Sequence, residues 1–133
     1  MTAKVMIKAI AIWLAILVLA SANGALREAV LNPRLGSAPG LVLSGVLLSC
    51  VILATAYAAA PWLGVRSPRL LLLTGLGWLA LTLAFEFSFG LARGKPMAEI
   101  LDAYAFRGGN LWPLVLVITA FAPWLAARLR RWL

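Results

Sequence analysis

The chain repeats itself. Trp13-Leu14-Ala15 returns as Trp78-Leu79-Ala80, and Gly24-Ala25-Leu26-Arg27 returns as Gly90-Leu91-Ala92-Arg93. Thr55-Ala56-Tyr57-Ala58 with Pro61-Trp62-Leu63 returns as Thr119-Ala120-Phe121-Ala122 with Pro123-Trp124-Leu125. The matches keep their order, and tryptophan to proline covers 48 positions in the first copy and 45 in the second. Three ordered matches at nearly constant spacing predict a duplicated unit of about 65 residues. The first copy runs from about 5 to 65 and the second from about 70 to 127. A unit of that size has room for one helical hairpin, so the repeat predicts an all-α fold made from two similar hairpins.

Composition says what surrounds the hairpins. Of 133 residues, 64% are hydrophobic and 12% charged, far from the balance of a soluble domain. Such a chain cannot cover its apolar surface with polar groups, and a bilayer is the solvent that suits it. Four apolar stretches have the roughly 17–25 residues that cross a hydrocarbon core. They run from about Val5 to Leu26, Leu41 to Leu63, Leu70 to Ala92 and Leu111 to Ala127. The expectation is a polytopic four-helix transmembrane bundle in a single membrane domain. Lys4 and Lys8 ahead of an apolar run ending Ala20-Ser21-Ala22 also resemble a cleavable signal peptide. Cleavage there would remove the partner of the third span, so the first span is read as retained.

Basic residues set the expected orientation. Lys4, Lys8, Arg66, Arg69, Arg128, Arg130 and Arg131 fall at one end of the spans with no acid among them. Arg27, Arg34, Arg93, Lys95 and Arg107 fall at the other, mixed with Glu28, Glu99 and Asp102. The purely basic end is expected in the cytoplasm, with both termini, and the membrane is expected to be the inner (cell) membrane. The net charge of +8 is then explained by short loops facing anionic lipid headgroups, the expected partners, and nucleic acid is not expected. Four short helices enclose little volume, so a homo-oligomer or a larger membrane complex is also expected. Cys50 is the single cysteine and there is no histidine. No intramolecular disulfide, histidine-based haem or histidine-type zinc site fits this inventory, and no cofactor or metal is expected.

The connections at the mixed end carry most of the local signals. Asn32-Pro33 and Ser37-Ala38-Pro39-Gly40 predict a turn-rich loop after a short extension of the first helix to about Leu31. In the second connection Met97, Ile100, Leu101 and Tyr104 lie at i, i+3, i+4 and i+7 behind Pro96, predicting an interfacial helix over about 96–106. Trp62 and Trp124 are placed as interfacial anchors at one end and Trp112 at the other, whereas Trp13 and Trp78 are deep enough to pack between helices. Gly45 with Ser49, Ala54 with Ala58, and Gly75 with Gly77 are read as close-packing positions within the chain.

Glu86 is the one acidic residue inside a span, about 9 Å below the end of the third helix at 1.5 Å per residue. A carboxylate in hydrocarbon costs roughly 2.5–3.5 kcal/mol on insertion scales, which by default marks a functional position. Thr82, Glu86, Gly90 and Arg93 share one helical face, and Asn23 and Arg27 form a weaker stripe in the first copy. Repeat symmetry would turn both stripes toward a common pocket open at the mixed end. The substrate-binding candidates are Glu86, Arg93, Arg27, Asn23 and Thr82, with Tyr104 and Asn110 as further hydrogen-bonding groups. The competing structural reading is an ion pair from Glu86 to Arg27 or Arg93 that fixes helix register. Glu99 and Asp102 read as a solvated face, since no third metal ligand accompanies them. The leading functional expectation is binding or transport of a small or amphiphilic solute. A non-catalytic accessory subunit of a membrane complex is the alternative. A membrane enzyme acting on a lipid-linked phosphate is third, and no catalytic residue is assigned.

Overall fold

The computed structural model describes residues 2–102 and 111–132, with the backbone alone at Ser37, Glu99, Ile100 and Asp102. Every regular element among them is helical. Helix α1 (Ala3–Leu26) runs without a break through a π-helical turn (Arg27–Leu31) into α2 (Asn32–Leu35). Helix α3 (Ser37–Leu63), α4 (Pro68–Ala92), the short α5 (Met97–Asp102) and α6 (Trp112–Leu129) follow. Four of these segments are long and apolar enough to cross a bilayer, as expected of a multi-pass helical bundle. The expected spans agree with them to within a few residues at each end, except that the first continues through the π turn to Leu35, nine residues past the expected Leu26.

The first connection differs from its expected form. Asn32-Pro33 and Ser37-Ala38-Pro39-Gly40 are helical, and only Gly36 interrupts the helices (φ 92°). The reason lies in the π turn. Pro33 has no N–H and its ring crowds the preceding turn of an α-helix. Widening that turn, with the Asn32 N–H donating to the Arg27 carbonyl five residues back, relieves the crowding. Ser37-Ala38-Pro39-Gly40 then forms the first turn of α3, where a proline's missing donor is harmless.

Helix α1 packs on α3, α3 on α6 and α6 on α4, while α1 and α4 make the slimmest contact of the four neighbouring pairs. The hairpins α1/α3 and α4/α6 therefore sit side by side, with a tight seam between α3 and α6 and a loose one between α1 and α4. The end holding both chain termini and residues 64–67 is called the terminal end below, and the opposite one the distal end.

Within lipid, helices associate through close packing and interhelical hydrogen bonds rather than through hydrophobic transfer. Both devices are present. Ala122, Ala126 and Ala127 of α6 are completely buried, and Gly75 of α4 lies so near the Ala120 carbonyl that an added Cβ would overlap it. Gly77, on the other face of α4, meets nothing among the described residues. Gly45 receives Leu111, and a Cβ there would stand 2.7 Å from the leucine Cβ. Ala54 and Ala58 are exposed, so they do not pack within the chain. Across the loose seam, Trp13 Nε1 donates to Thr82 Oγ1 at 3.0 Å and Trp78 Nε1 donates to the Ala9 carbonyl at 3.0 Å. These two tryptophans are deep, as their positions in the sequence required, with Trp78 only 2% exposed. The faces turned away from the bundle expose Ile7, Val18, Val46, Leu76 and Val117, the apolar coat of a lipid-facing surface.

Helix α5 starts where the sequence placed it. Met97 and Leu101 are exposed, so this side of the short helix is turned away from the spans. The remainder of the expected 96–106 helix lies outside the described residues.

A candidate functional site at the distal end

A cavity of about 870 Å³ lies between the four long helices toward the distal end, within the range of small-molecule sites. Its floor is set by Trp13 and Thr82, whose hydrogen bond holds α1 to α4, with the Trp78 bond to Ala9 lying a turn further toward the terminal end. Above that level no hydrogen bond links these two helices among the described residues, and the cavity fills the space between them.

One face of α4 supplies the charged wall. Thr82, Phe85, Glu86, Phe89, Gly90 and Arg93 all line the cavity, so the polar stripe read from the sequence faces inward as a unit. Phe85 and Phe89 stack one turn apart with ring centroids 5.5 Å from each other, and form an apolar strip beside the carboxylate. Helix α1 contributes Asn23, Gly24 and the Arg27 that opens the π turn. The stripes of α1 and α4 thus meet one cavity. Helix α3 adds Ser44, Leu48 and Ile52, and the start of α6 adds Leu111, Trp112 and Val115.

The expected site residues divide by what they touch. Thr82 is occupied: its hydroxyl donates to the Trp78 carbonyl at 2.8 Å and accepts from Trp13. Asn23 is occupied as well. Its Nδ2 donates to the Ser44 carbonyl at 3.3 Å and its Oδ1 accepts from Ser44 Oγ at 2.5 Å, a two-way clamp between α1 and α3. Both residues shape the cavity while their polar atoms serve the bundle. Glu86 is half-buried on the wall and makes no hydrogen bond or ion pair with any described residue. The cations whose fields reach it are Lys95 and Arg27. Arg27 holds Glu28 through Nη2 at 3.5 Å, and its buried Nε has no partner among the described residues. Arg93 lies over the Phe89 ring at 5.3 Å from its centroid. Tyr104 and Asn110 lie outside the described residues.

The register-fixing ion pair considered for Glu86 is therefore not formed with either arginine. Lys95 is the charged residue that sequence reasoning left out of the pocket, having counted it only among the charges of the mixed end. Its placement follows from the end of α4. Gly94 takes a left-handed conformation (φ 78°), its N–H bonds the Leu91 carbonyl at 3.0 Å, and the Lys95 N–H bonds the Gly90 carbonyl at 3.0 Å. This C-terminal motif turns the chain back, bringing Lys95 to the cavity rim. The Arg-Gly-Lys run at the end of an apolar span was the available signal. Trp112, read as an interfacial anchor, also lines the cavity.

No group of three potential metal ligands occurs among the described residues. The cavity offers instead one carboxylate, three cations and an apolar floor, an arrangement suited to holding a polar head over a nonpolar body. Comparison with known protein families, curated proteins and solved structures finds no match.

Proposed function

We propose that this protein binds a small or amphiphilic solute in the distal cavity around Glu86, as a carrier or binding protein of the inner membrane. The observation that supports this reading most is the state of Glu86. It is a half-buried carboxylate on the wall of an open cavity, without a hydrogen bond or ion pair to any described residue. A span tolerates such a group where it faces water or a ligand. In the proposed orientation the purely basic terminal end faces the cytoplasm and the cavity opens to the opposite side. The reading includes a duplicated origin for the two hairpins, consistent with their side-by-side packing.

Glu86→Gln tests the proposal, because it keeps the shape and removes the charge. The variant should insert and melt like the parent yet fail to complement a deletion strain. A stable and fully complementing Glu86→Gln protein contradicts the proposal. A variant that loses several degrees in Tm, with function falling only as folded protein falls, assigns Glu86 to the framework instead.

The accessory-subunit reading draws on one observation. Ala54 and Ala58 leave an exposed step of small side chains on α3, a shape that admits a neighbouring helix. Ala54→Leu with Ala58→Leu should then detach the chain from its complex while leaving its own Tm unchanged.

A further inference from the structure

The cavity carries both signs of charge, and their arrangement narrows the solute. Arg27 and Lys95 stand near Glu86, with Arg93 at the rim above the Phe89 ring. A purely anionic head held by the cations would bring its charge against Glu86. A purely cationic head held by Glu86 would face three positive side chains. A head with a phosphate and a primary ammonium satisfies both sets. The phosphate accepts from Arg27 and Lys95, including the Arg27 Nε that no described residue engages. The ammonium donates to Glu86.

The walls specify the rest of the molecule. Phe85 and Phe89 flank the carboxylate, and deeper toward the terminal end the lining includes the apolar Ile16, Leu48 and Ile52. The side of the cavity between α1 and α4 is the loose seam of the bundle, where the hydrogen bonds among the described residues are those of Trp13 at the floor and of Trp78 below it. An alkyl chain placed against Phe85 and Phe89 leaves through that seam toward the lipid-facing surface. We infer that the cavity takes an amphiphile with a zwitterionic phosphate–ammonium head, seated between Glu86 on one side and Arg27 with Lys95 on the other, its chain lying in the α1/α4 seam. This rests on the proposed function and goes on to name the solute class.

The test compares four probes by their saturable shift of Tm in neutral maltoside micelles. They are lysophosphatidylethanolamine, dodecyl phosphate, dodecyltrimethylammonium and chain-free phosphorylethanolamine. The full-length protein should bind lysophosphatidylethanolamine at least about tenfold more tightly than any other probe, the loss expected when a charge-assisted hydrogen bond is missing. Arg27→Gln with Lys95→Gln should weaken both phosphate amphiphiles by about tenfold or more. Glu86→Gln should abolish the preference for lysophosphatidylethanolamine over dodecyl phosphate, a reversal that a merely destabilised protein would not show. Equal affinity for dodecyl phosphate overturns the ammonium contact, and tight binding of dodecyltrimethylammonium overturns the phosphate contact. Equal affinity for phosphorylethanolamine overturns the role of the chain. In the first two cases, loss of that binding in Glu86→Gln leaves the proposed function standing while the head is reassigned. No Tm shift with any probe overturns this inference, and the complementation result for Glu86→Gln then decides the proposed function separately.

Discussion

The two ends of this bundle use the same residue types to opposite effect. At the terminal end Lys8, Arg66, Arg128 and Arg130 lie on aromatic rings and close the structure. Lys8 leans over Trp62 at 5.4 Å and donates to its carbonyl at 3.0 Å, which ties α1 to α3. Arg66 lies 4.3 Å from the Trp132 ring centroid, and Arg130 lies 4.2 Å from that of Tyr57. Arg130 also donates from Nε to the Tyr57 carbonyl at 2.7 Å. That carbonyl is open because Pro61, four residues on, has no N–H to offer it. At the distal end Arg27 and Lys95 have no ring beneath them among the described residues, and the space they border is a cavity. The proline-freed Tyr57 carbonyl gives Arg130 something to close onto, whereas at the distal end, where Arg93 does lie on the Phe89 ring, Arg27 and Lys95 border a space that a ligand can enter. The difference is one of partners, since arginine and tryptophan occur at both ends.

The largest effect is expected where the hairpins are kept from closing on each other. Gly75→Val places a branched side chain into the Ala120 backbone, which cannot retreat without separating α4 from α6. The expected penalty is about 3 kcal/mol or more, read as loss of folded protein in detergent. Gly77→Val, two residues away where nothing is met, should melt like the parent. Equal behaviour of the two variants would remove the close crossing from the account.

A smaller effect is expected at the α1–α4 contact just beneath the floor of the cavity. Trp78→His retains a ring N–H but shortens its reach, and Trp78→Phe removes the donor altogether. Loss of the bond to the Ala9 carbonyl should cost about 1 kcal/mol, the scale of interhelical hydrogen bonds in membranes. The Phe variant should also admit water further down the α1/α4 seam, seen as faster hydrogen exchange at the polar groups near Trp13. Unchanged exchange would mean that packing alone seals the seam beneath the floor.

The smallest effect concerns the closed end. Arg130→Ala should lower stability by about 1 kcal/mol at most, because the bond is partly exposed. In a Pro61→Ala background residue 61 regains an N–H for the Tyr57 carbonyl, and Arg130→Ala should then have little effect. Additive losses in the double variant would disprove the link between the proline and the arginine.

Much of this arrangement could be read from the chain. Four apolar runs of the right length specified four spans, and the depth of Trp13 and Trp78 placed both between helices. The Thr82, Glu86, Gly90 and Arg93 stripe was legible because a helix puts positions three and four apart on one face. What escaped was set by backbone detail. The π turn that carries the chain through Pro33 changes which residues continue a helix, and no hydrophobic period reports it. Lys95 depends on a single left-handed glycine. Asn23 and Thr82 looked like ligand groups because a polar residue in a span has few other obvious uses; their partners, Ser44 and Trp13, lie on different helices and carry no local sequence signal.

Glu86 should border a cavity that water reaches, while the terminal half of the bundle is closed to it. Labelling of single cysteines tests it most directly. Cys50, which is exposed, is first replaced by serine. Glu86→Cys and Ala56→Cys, the latter in the core at 4% exposure, are then treated with a charged, water-soluble thiol reagent in intact membranes. The account predicts rapid modification at position 86 from one side of the membrane only, slowed by a bound amphiphile, and no modification at position 56. A cysteine at position 86 as unreactive as one at position 56 would contradict it.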